Sequence, residues 1–277
     1  MSIITIFANS YSKGEELAEK VGKKMGYEYV NKHVLLSAAT KEFGMPESKL
    51  TRAIKDTPSI LDMFSNGTQR SIAYMEAVLA EYMLKDDIVY HGRVGHPIVQ
   101  GISHVLKVQI IAKLEDRIGL KTKQEHMSPE KTRKIILAED AQRKKWAKAI
   151  YDIDITDPGL YDLVINVGRL EAEDAEDAVE TIISTVKHKK FQPMTYSLNC
   201  MKDVALSCHL KAVLINTDST IQLKSHKGTV FVYTRALKRK KQRQVLDFKE
   251  RIMAIDGVEH VEVYTEKDLF LTMARGQ

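Results

Sequence analysis

Apolar residues follow two different spacings along the first 190 positions. The run Ile3–Phe7 is short and rich in β-branched residues, which predicts a buried strand. Leu17, Val21 and Met25 then recur at every fourth position, the spacing of a helix that packs one face against a sheet. This alternation continues down the chain. It predicts further strands at 27–30, 87–90, 105–112 and 161–167, and further helices at 32–42, 46–55, 69–84, 114–120, 128–150 and 171–187.

Strands that alternate with helices predict the α/β class, with a parallel sheet covered by helices on both faces. Ligands in such folds bind beyond the carboxyl ends of the strands. Those ends are predicted at 8–13, at Asn31, at 91–95, at 113–117 and at Gly168. We therefore expect the functional residues of this part of the chain to lie in these segments.

The last 80 residues have the pattern of a small α+β domain. A helix is predicted at 201–216, a hairpin from 221–223 and 229–234, a second helix at 238–255 and a strand at 257–263. A basic segment with a proline, at 187–193, marks the predicted boundary. We predict two domains, at 1–190 and 198–277.

The net charge of +5 comes entirely from residues 191–277, which contain 14 Lys and Arg and nine Asp and Glu. Five of these cations fall within six residues at the predicted start of a helix, where the helix dipole already contributes positive charge. A protein, nucleic acid or other anionic partner would relieve the repulsion. A solvated basic face is the alternative. The cluster consists of Lys238, Arg239, Lys240, Lys241 and Arg243.

Composition narrows the class of protein. A chain of 277 residues that is 44% apolar can bury a full core. It has no apolar run of the ~18–20 residues that a membrane-spanning helix needs, and it turns polar after Phe7, unlike the core of a signal peptide. Cys200 and Cys208 are not spaced as a metal or redox motif. We expect a cytoplasmic protein without disulfides, and homo-oligomeric assembly stays open.

The turn between the first strand and the first helix has the position of a phosphate-binding loop, which delivers an anion to a helix N-terminus. The usual loop, Gly-x4-Gly-Lys-Ser/Thr, holds phosphates with its backbone and its lysine. Residues 8–14 contain a single glycine, Gly14, and two carboxylates follow it. The segment Ser12–Glu15 also fits a capping box, in which Ser12 and Glu15 bond to the first helical turn. We expect the capping box.

Several segments, in one order, resemble the cytidylate kinase-like family of P-loop nucleoside monophosphate kinases. They read ITIFANSYSKGEELAEKVGKKMGYEYVNK, IVYHGRVGHPIVQ, VLKVQIIAKLEDRI, the step Asp140–Arg143, and YDLVINVGRLEAEDA. The resemblance covers residues 1 to about 185. It implies the fold of these kinases and transfer of the γ-phosphoryl group of ATP, with Mg²⁺, to CMP or a related acceptor.

The resemblance also implies roles for individual residues. Arg93 matches the arginine of a segment that holds the monophosphate nucleotide, and Arg117 matches an arginine that faces phosphates. Asp140 and Arg143 match an Asp-x-x-Arg step in nucleotide binding, although an ordinary surface pair on a helix is the alternative. The nucleotide-binding set so implied is Ser10, Ser12, Lys13, Gly14, Asn31, Arg93, Arg117, Asp140 and Arg143.

The chain departs from the family at the loop. The resemblance places Glu15 at the position of the loop lysine and Glu16 at that of the Mg²⁺-binding Ser/Thr. Replacing a cation by an anion reverses an interaction of about 4 kcal/mol at short range near a protein surface, and phosphoryl transfer depends on such neutralisation. Lys13 is close enough to compensate. The candidate catalytic residues are therefore Lys13, Arg93 and Arg117.

Three hypotheses follow. The first is a nucleotide-binding pseudo-kinase that acts in regulation or sensing, with a nucleotide of the CMP, AMP or ATP class as ligand. The second is an active nucleoside monophosphate kinase that uses ATP and Mg²⁺. The third is a non-catalytic assembly module. His91 and His96 lie near each other without a third ligand, so no metal site is predicted.

The predicted helix–strand–strand–helix–strand order of residues 198–277 resembles a BON domain. This resemblance implies a module that binds phospholipid surfaces, small ligands or proteins, and it implies no catalytic residues. We expect this domain to contact a protein or anionic partner through its basic cluster.

Overall fold

The computed structural model describes residues 2–56, 66–168, 171–217, 219, 221–234 and 242–265. The strands are β1 (Ile3–Ala8), β2 (Glu28–Val30), β3 (Ile88–His91), β4 (Val105–Ile111), β5 (Leu163–Asn166), β6 (Gln222–His226), β7 (Thr229–Thr234) and β8 (His260–Thr265). The helices are α1 (Gly14–Met25), α2 (Lys32–Phe43), α3 (Glu47–Lys55), α4 (Asn66–Leu84), α5 (Leu114–Glu125), α6 (Pro129–Tyr151), α7 (Ala172–Val186), α8 (Thr195–Leu214) and α9 (Gln242–Met253).

The larger sheet is parallel throughout, in the order β2-β3-β1-β4-β5. Its central strand pairs on both sides, with Ile4 opposite Val89 of β3 and Leu106 of β4. The predicted α/β class is confirmed. Because β1, β3 and β4 are adjacent and parallel, their carboxyl ends meet at one edge of the sheet.

Helices cover both faces of this sheet. Ile3 belongs to the apolar core shared with α2, α3 and α4, while Ile4 and Ile6 belong to the core shared with α1 and α7. The side chains therefore alternate between the faces, as a strand buried on both sides requires. Each fully buried apolar side chain of this kind stabilises the fold by about 1.5–3 kcal/mol.

Helix α8 contributes to two cores. Met201 and Ala205 pack in the core that contains α4, and Leu210 and Leu214 pack with the second sheet. The helix starts six residues before its predicted position, at Thr195, because the Ser197 hydroxyl accepts a hydrogen bond from the Met194 backbone N–H and caps the first turn. The domain boundary stays a prediction.

The second sheet has the order β6-β7-β8. β6 and β7 are an antiparallel hairpin, and its turn residues Lys227 and Gly228 both have positive φ, at 48° and 74°, as tight hairpin turns require. β8 lies parallel to β7, and α9 connects them. The predicted order of elements is confirmed; α9 is described from Gln242, and its predicted start at 238 lies outside the described residues.

Only one residue of the basic cluster lies within the described residues. Lys238, Arg239, Lys240 and Lys241 lie outside the described residues, and for Arg243 only the backbone, in the first turn of α9, is described. Within the described ranges, none of the helices combines the length and apolar character needed to cross a membrane.

Candidate functional site

The loop between β1 and α1, residues 8–13, contains two non-glycine residues in the left-handed region. Tyr11 has φ 59° and Lys13 has φ 60°, a conformation that favours glycine. Lys13 directly precedes α1. If Lys13 takes the place of the second glycine of Gly-x4-Gly-Lys-Ser/Thr, the first glycine falls on Ala8, the lysine on Gly14 and the Ser/Thr on Glu15. The backbone thus favours an alignment one residue earlier than the sequence suggested.

The predicted capping box is wrong. Lys13 and not Ser12 is the capping residue of α1, and it makes no side-chain cap hydrogen bond. The buried Ser12 hydroxyl instead donates to the Asn9 carbonyl at 2.9 Å and to the Ile110 carbonyl at 3.4 Å. Ser12 therefore fastens the loop to the end of β4, because a buried hydroxyl needs a partner where water is excluded.

Gly14 packs directly against the end of β1. A Cβ on this residue would lie 2.2 Å from the Ala8 Cβ and 3.1 Å from His91 Nε2. No side chain fits at position 14 without displacing Ala8. In the alignment that the backbone favours, Gly14 stands at the position of the phosphate-loop lysine. This position therefore carries no charge and has no room for a side chain.

Two helices that are distant in sequence hold this loop. Arg117 of α5 donates through Nη1 to Asp140 Oδ2 of α6 at 2.7 Å and to the Ser10 carbonyl at 3.1 Å. The Ser10 N–H donates to Asp140 Oδ1 at 3.3 Å. Ser10, Arg117 and Asp140 thus form one cluster at loop 8–13. Arg117 is only 5% exposed, so its charge depends on this carboxylate.

Asp140 and Arg143 are not an ordinary surface pair, so that alternative is wrong. Asp140 bonds to Arg117, while Arg143 Nη1 donates to the Ala8 carbonyl at 2.6 Å. The two residues differ in partners because one helical turn places them over different parts of loop 8–13. The whole Asp-x-x-Arg step therefore contacts the loop.

Tyr11 adds a contact that the sequence did not indicate. Its hydroxyl donates to Glu139 Oε1 at 2.8 Å, and Lys121 Nζ lies 3.8 Å from the centre of its ring. Burial raises the pKa of Tyr11, against a lowering by Lys121. The available signal was a tyrosine within a loop that is otherwise expected to be glycine-rich.

A cavity of about 390 Å³ lies beyond the carboxyl ends of β1, β3 and β4. This volume is within the range of small-molecule sites. Trp146, Tyr151 and Tyr161 contribute aromatic surface to its walls, and Trp146 Nε1 donates to the Ala53 carbonyl at 2.8 Å. Trp146 is only 1% exposed, so its ring is packed in the core, and it also belongs to the lining of the cavity. The cationic residues of the walls are Lys32, Lys55, Arg93 and Arg143.

These cations weaken one another's protonation. Burial and, to a smaller extent, the charge of Arg143 lower the pKa of Arg93 to about 10. Burial likewise lowers the pKa of Arg143 and of Lys32, the latter also through Lys55 and Arg93. Cations that converge in a partly desolvated cavity are stabilised by a bound anion. The described walls place these four cations against one carboxylate, that of Glu15, so the cavity is suited to an anionic ligand.

Two of the three histidines that line the cavity, His91 and His96, are neutral near pH 7. Burial and the charge of Arg143 lower the pKa of His91 to about 4, and burial does the same for His96. The His96 ring packs on Phe7 and Tyr161, with centroids 4.6 Å and 5.3 Å apart. Over the residues that the structure describes, no group of three or more His, Cys, Asp or Glu is arranged to hold a metal ion.

The model of the cytidylate kinase-like family matches residues 3–169, which contain the whole parallel sheet. The chain belongs to the cytidylate kinase-like family. Cytidylate kinase of Methanopyrus kandleri is 24% identical over 196 residues, 68% of this chain and 96% of that protein. Cytidylate kinase of Methanocaldococcus jannaschii is 26% identical over 190 residues, 67% of this chain and 99% of that protein. An uncharacterized protein from Eubacterium ventriosum shares the fold, with a TM-score of 0.52, 16% identity and coverage of 67% and 97%.

In this cytidylate kinase-like protein, the implied nucleotide-binding residues fall into four groups. Arg93 and Arg143 line the cavity, and Ser10, Arg117 and Asp140 cluster at loop 8–13. Ser12 and Asn31 are bonded to backbone groups. Lys13 and Gly14 lie at the start of α1, where Lys13 is half-exposed.

Asn31 serves as a helix cap in this cytidylate kinase-like domain. Its Oδ1 accepts hydrogen bonds from the backbone N–H groups of His33 at 2.9 Å and Val34 at 3.1 Å. This satisfies two free donors of the first turn of α2. The side-chain oxygen of Asn31 is thus bonded to backbone N–H groups of the protein itself.

Proposed function

We propose that this cytidylate kinase-like protein binds a nucleoside monophosphate of the CMP or AMP class in the cavity and acts in regulation or sensing, as a pseudo-kinase. The observation that carries the proposal is the convergence of Arg93 and Arg143 on one cavity beside aromatic side chains. Guanidinium groups bind phosphate oxygens with matching geometry. The aromatic walls supply surface for a base.

Both arginines keep their charge available for a ligand. Arg93 Nη1 donates to the Ile54 carbonyl at 3.3 Å, and Arg143 Nη1 donates to the Ala8 carbonyl. Within the described part of the chain, neither forms a salt bridge to a carboxylate. A carbonyl oxygen offsets burial only in part, so a dianionic phosphate would add the missing neutralisation.

The residues of loop 8–13 do not fit the phosphates of ATP. Gly14 stands where the lysine is needed, and Glu15 brings a carboxylate to the position of the Mg²⁺-binding hydroxyl. Lys13 is displaced to the left-handed position before α1. These features favour binding without efficient transfer, since phosphoryl transfer relies on positioning and charge neutralisation.

An active ATP–Mg²⁺-dependent nucleoside monophosphate kinase is the second candidate. The relatives named cytidylate kinase, together with the presence of Arg93, Arg117, Asp140 and Arg143, favour it. In that case Lys13, Arg93 and Arg117 would carry catalysis. The third candidate, a non-catalytic assembly module, predicts that the cavity binds no nucleotide.

Calorimetric titration with CMP, AMP and ATP–Mg²⁺, joined to a coupled assay of ADP release, separates these candidates. We expect CMP or AMP to bind without turnover. Turnover would establish the active kinase. If neither binding nor ADP release is detected, the assembly module is the remaining candidate. Arg93→Gln should abolish binding, whereas the matched control Arg52→Gln, at an exposed position of α3, should not. Trp146, the single tryptophan, gives a second readout through its fluorescence.

We further infer that α8, α9 and the second sheet form a BON-like domain that binds a protein or anionic partner. The observed helix–strand–strand–helix–strand order and the positive charge of residues 191–277 support this. Replacing Lys238, Arg239, Lys240, Lys241 and Arg243 by Gln should weaken binding of the full chain to anionic vesicles or to RNA. A cytoplasmic location and homo-oligomeric assembly stay predictions, to be tested by fractionation and light scattering.

A further inference from the structure

One backbone N–H group of loop 8–13 is already bonded to a carboxylate of the protein. The Ser10 N–H donates to Asp140 Oδ1 at 3.3 Å. Backbone N–H groups of such a loop are the donors that hold phosphate oxygens in phosphate-binding proteins. Here a carboxylate of the protein itself takes that bond.

This carboxylate is fixed by a second charged contact. Arg117 Nη1 binds the other oxygen, Asp140 Oδ2, at 2.7 Å and also the Ser10 carbonyl. Arg117 has a nearly buried side chain, 7% exposed. This ion pair is costly to separate, because removing Asp140, which is 29% exposed, would leave the charge of Arg117 desolvated and without its partner. Contacts with both Ser10 and Arg117 therefore fix the position of the Asp140 carboxylate.

Two further contacts close the same loop. Tyr11 is bonded to Glu139, the residue before Asp140, so a second carboxylate of α6 lies at the loop. On the opposite side, the Ala8 methyl group fills the space beside Gly14. An approaching polyphosphate would meet negative charge from α6 and no side-chain cation at position 14.

We propose that Asp140 acts as an internal anion that occupies the loop and excludes the phosphate chain of a nucleoside triphosphate, so that the chain selects nucleoside monophosphates. This inference rests on the proposed function for its choice of ligand. Ser10, Arg117 and Asp140 are separate from the described walls of the cavity. Occupation of the loop by Asp140 is thus compatible with a monophosphate bound at Arg93 and Arg143.

The test is calorimetric titration of the full chain with inorganic tripolyphosphate, which probes the loop without a base. We expect weak binding to the wild type and a gain of about tenfold or more for Asp140→Asn, because one repelling charge is removed and Arg117 is released. Glu130→Gln is the matched control, since it removes one negative charge from an exposed position in the first turn of the same helix. It should leave the affinity unchanged.

Equal affinities of the wild type and Asp140→Asn for tripolyphosphate would overturn the proposal. So would an equal gain for Glu130→Gln, because net charge and not the occupied loop would then explain it. If Asp140→Asn does not fold, Asp140→Ser takes its place. Independently, the Ser10 amide resonance of the wild type should not shift with millimolar tripolyphosphate, and a shift would contradict occupation by Asp140.

A CMP titration of the same samples keeps the two proposals apart. If the wild type does not bind CMP, the proposed function fails, yet the gain in tripolyphosphate affinity still decides the role of Asp140. If CMP binds and Asp140→Asn gains nothing, the proposed function stands and the internal anion is rejected.

Discussion

The Ala8 methyl group and the Gly14 backbone lie so close that a Cβ on residue 14 would be 2.2 Å from the Ala8 Cβ. The two residues come from the end of β1 and the start of α1, so their contact fixes how the helix leaves the sheet. The same contact closes the place where a phosphate-loop lysine would stand. The contact that holds α1 against β1 therefore also excludes a side chain from position 14.

We expect Gly14→Ala to destabilise the fold by about 1–3 kcal/mol, because the added methyl group overpacks the site. Ala8→Gly should recover most of this loss in the double variant, since it removes the opposing methyl group. Urea unfolding of the four proteins measures the coupling.

Gly119→Ala is the control for the preceding prediction. Gly119 lies within α5, and a Cβ there would meet nothing within 4 Å. Helix propensity alone predicts a gain of up to about 1 kcal/mol for this change. A stabilising effect of Gly14→Ala as well would show that Ala8 does not obstruct position 14.

Asn31→Ala should cost about 1 kcal/mol of stability, because two N–H groups of α2 lose their acceptor. Asn31→Ser should retain most of the cap. Thermal unfolding measures both changes, and titration with CMP of the folded variants should show unchanged affinity. A variant with normal stability and no CMP binding would instead assign Asn31 to the ligand.

His91 predicts a pH dependence of stability. Its pKa is lowered from 6.5 to about 4 in the folded protein, so the unfolded chain binds more protons between these values. The stability that depends on neutral His91 is complete above pH 6.5 and is lost as the pH falls toward 4, by an amount on the order of 2 kcal/mol. Urea unfolding at several pH values measures the slope.

The His91→Gln variant isolates this effect. Its stability should fall less steeply between pH 6.5 and 4 than that of the wild type. His33→Gln, at an exposed position of α2, controls for the loss of a histidine. An unchanged slope in His91→Gln would assign the pH dependence to other groups.

Glu76 of α4 and Lys211 of α8 form an ion pair, and we expect replacement of the lysine to reduce stability more than replacement of the glutamate. Lys211 Nζ lies 3.3 Å from Glu76 Oε2, and the side chains are 37% and 6% exposed respectively. Lys211→Met leaves a buried carboxylate without its partner and should cost about 3–5 kcal/mol. Glu76→Gln should cost less, since the Lys211 ammonium can reach water.

Chemical denaturation measures both variants and the double variant Glu76→Gln/Lys211→Met. The double variant should be more stable than Lys211→Met alone, because the buried charge is gone. If Glu76→Gln proves the more damaging change, the pair is not limited by desolvation of the carboxylate.

Short sequence patterns predicted the strands and helices whose formation depends on residues close together in the chain. The β-branched run of β1 and the fourfold spacing of α1 predicted both elements to within a residue or two. The helix predicted at 128–150 is α6, and Ser128 before Pro129 is a typical helix start, where the Ser128 Oγ accepts from the Lys131 N–H. Caps and periodicity are encoded within a few residues, so a sequence shows them directly. The cap formed by Asn31 was not predicted, although asparagine before a helix is itself a cap signal.

The partners of loop 8–13 were decided only by the tertiary structure. Ser10 meets Arg117 across 107 positions and Asp140 across 130. The sequence indicated that these residues share a function, through the family pattern, but not that one would bond to another. Which carboxylate reaches which N–H depends on how α5 and α6 lie over the sheet, because side-chain contacts are set by packing geometry and not by spacing along the chain. The residue types of a candidate nucleotide site could therefore be recognised in the sequence, whereas the bonds of Asp140 to Ser10 and Arg117 could not.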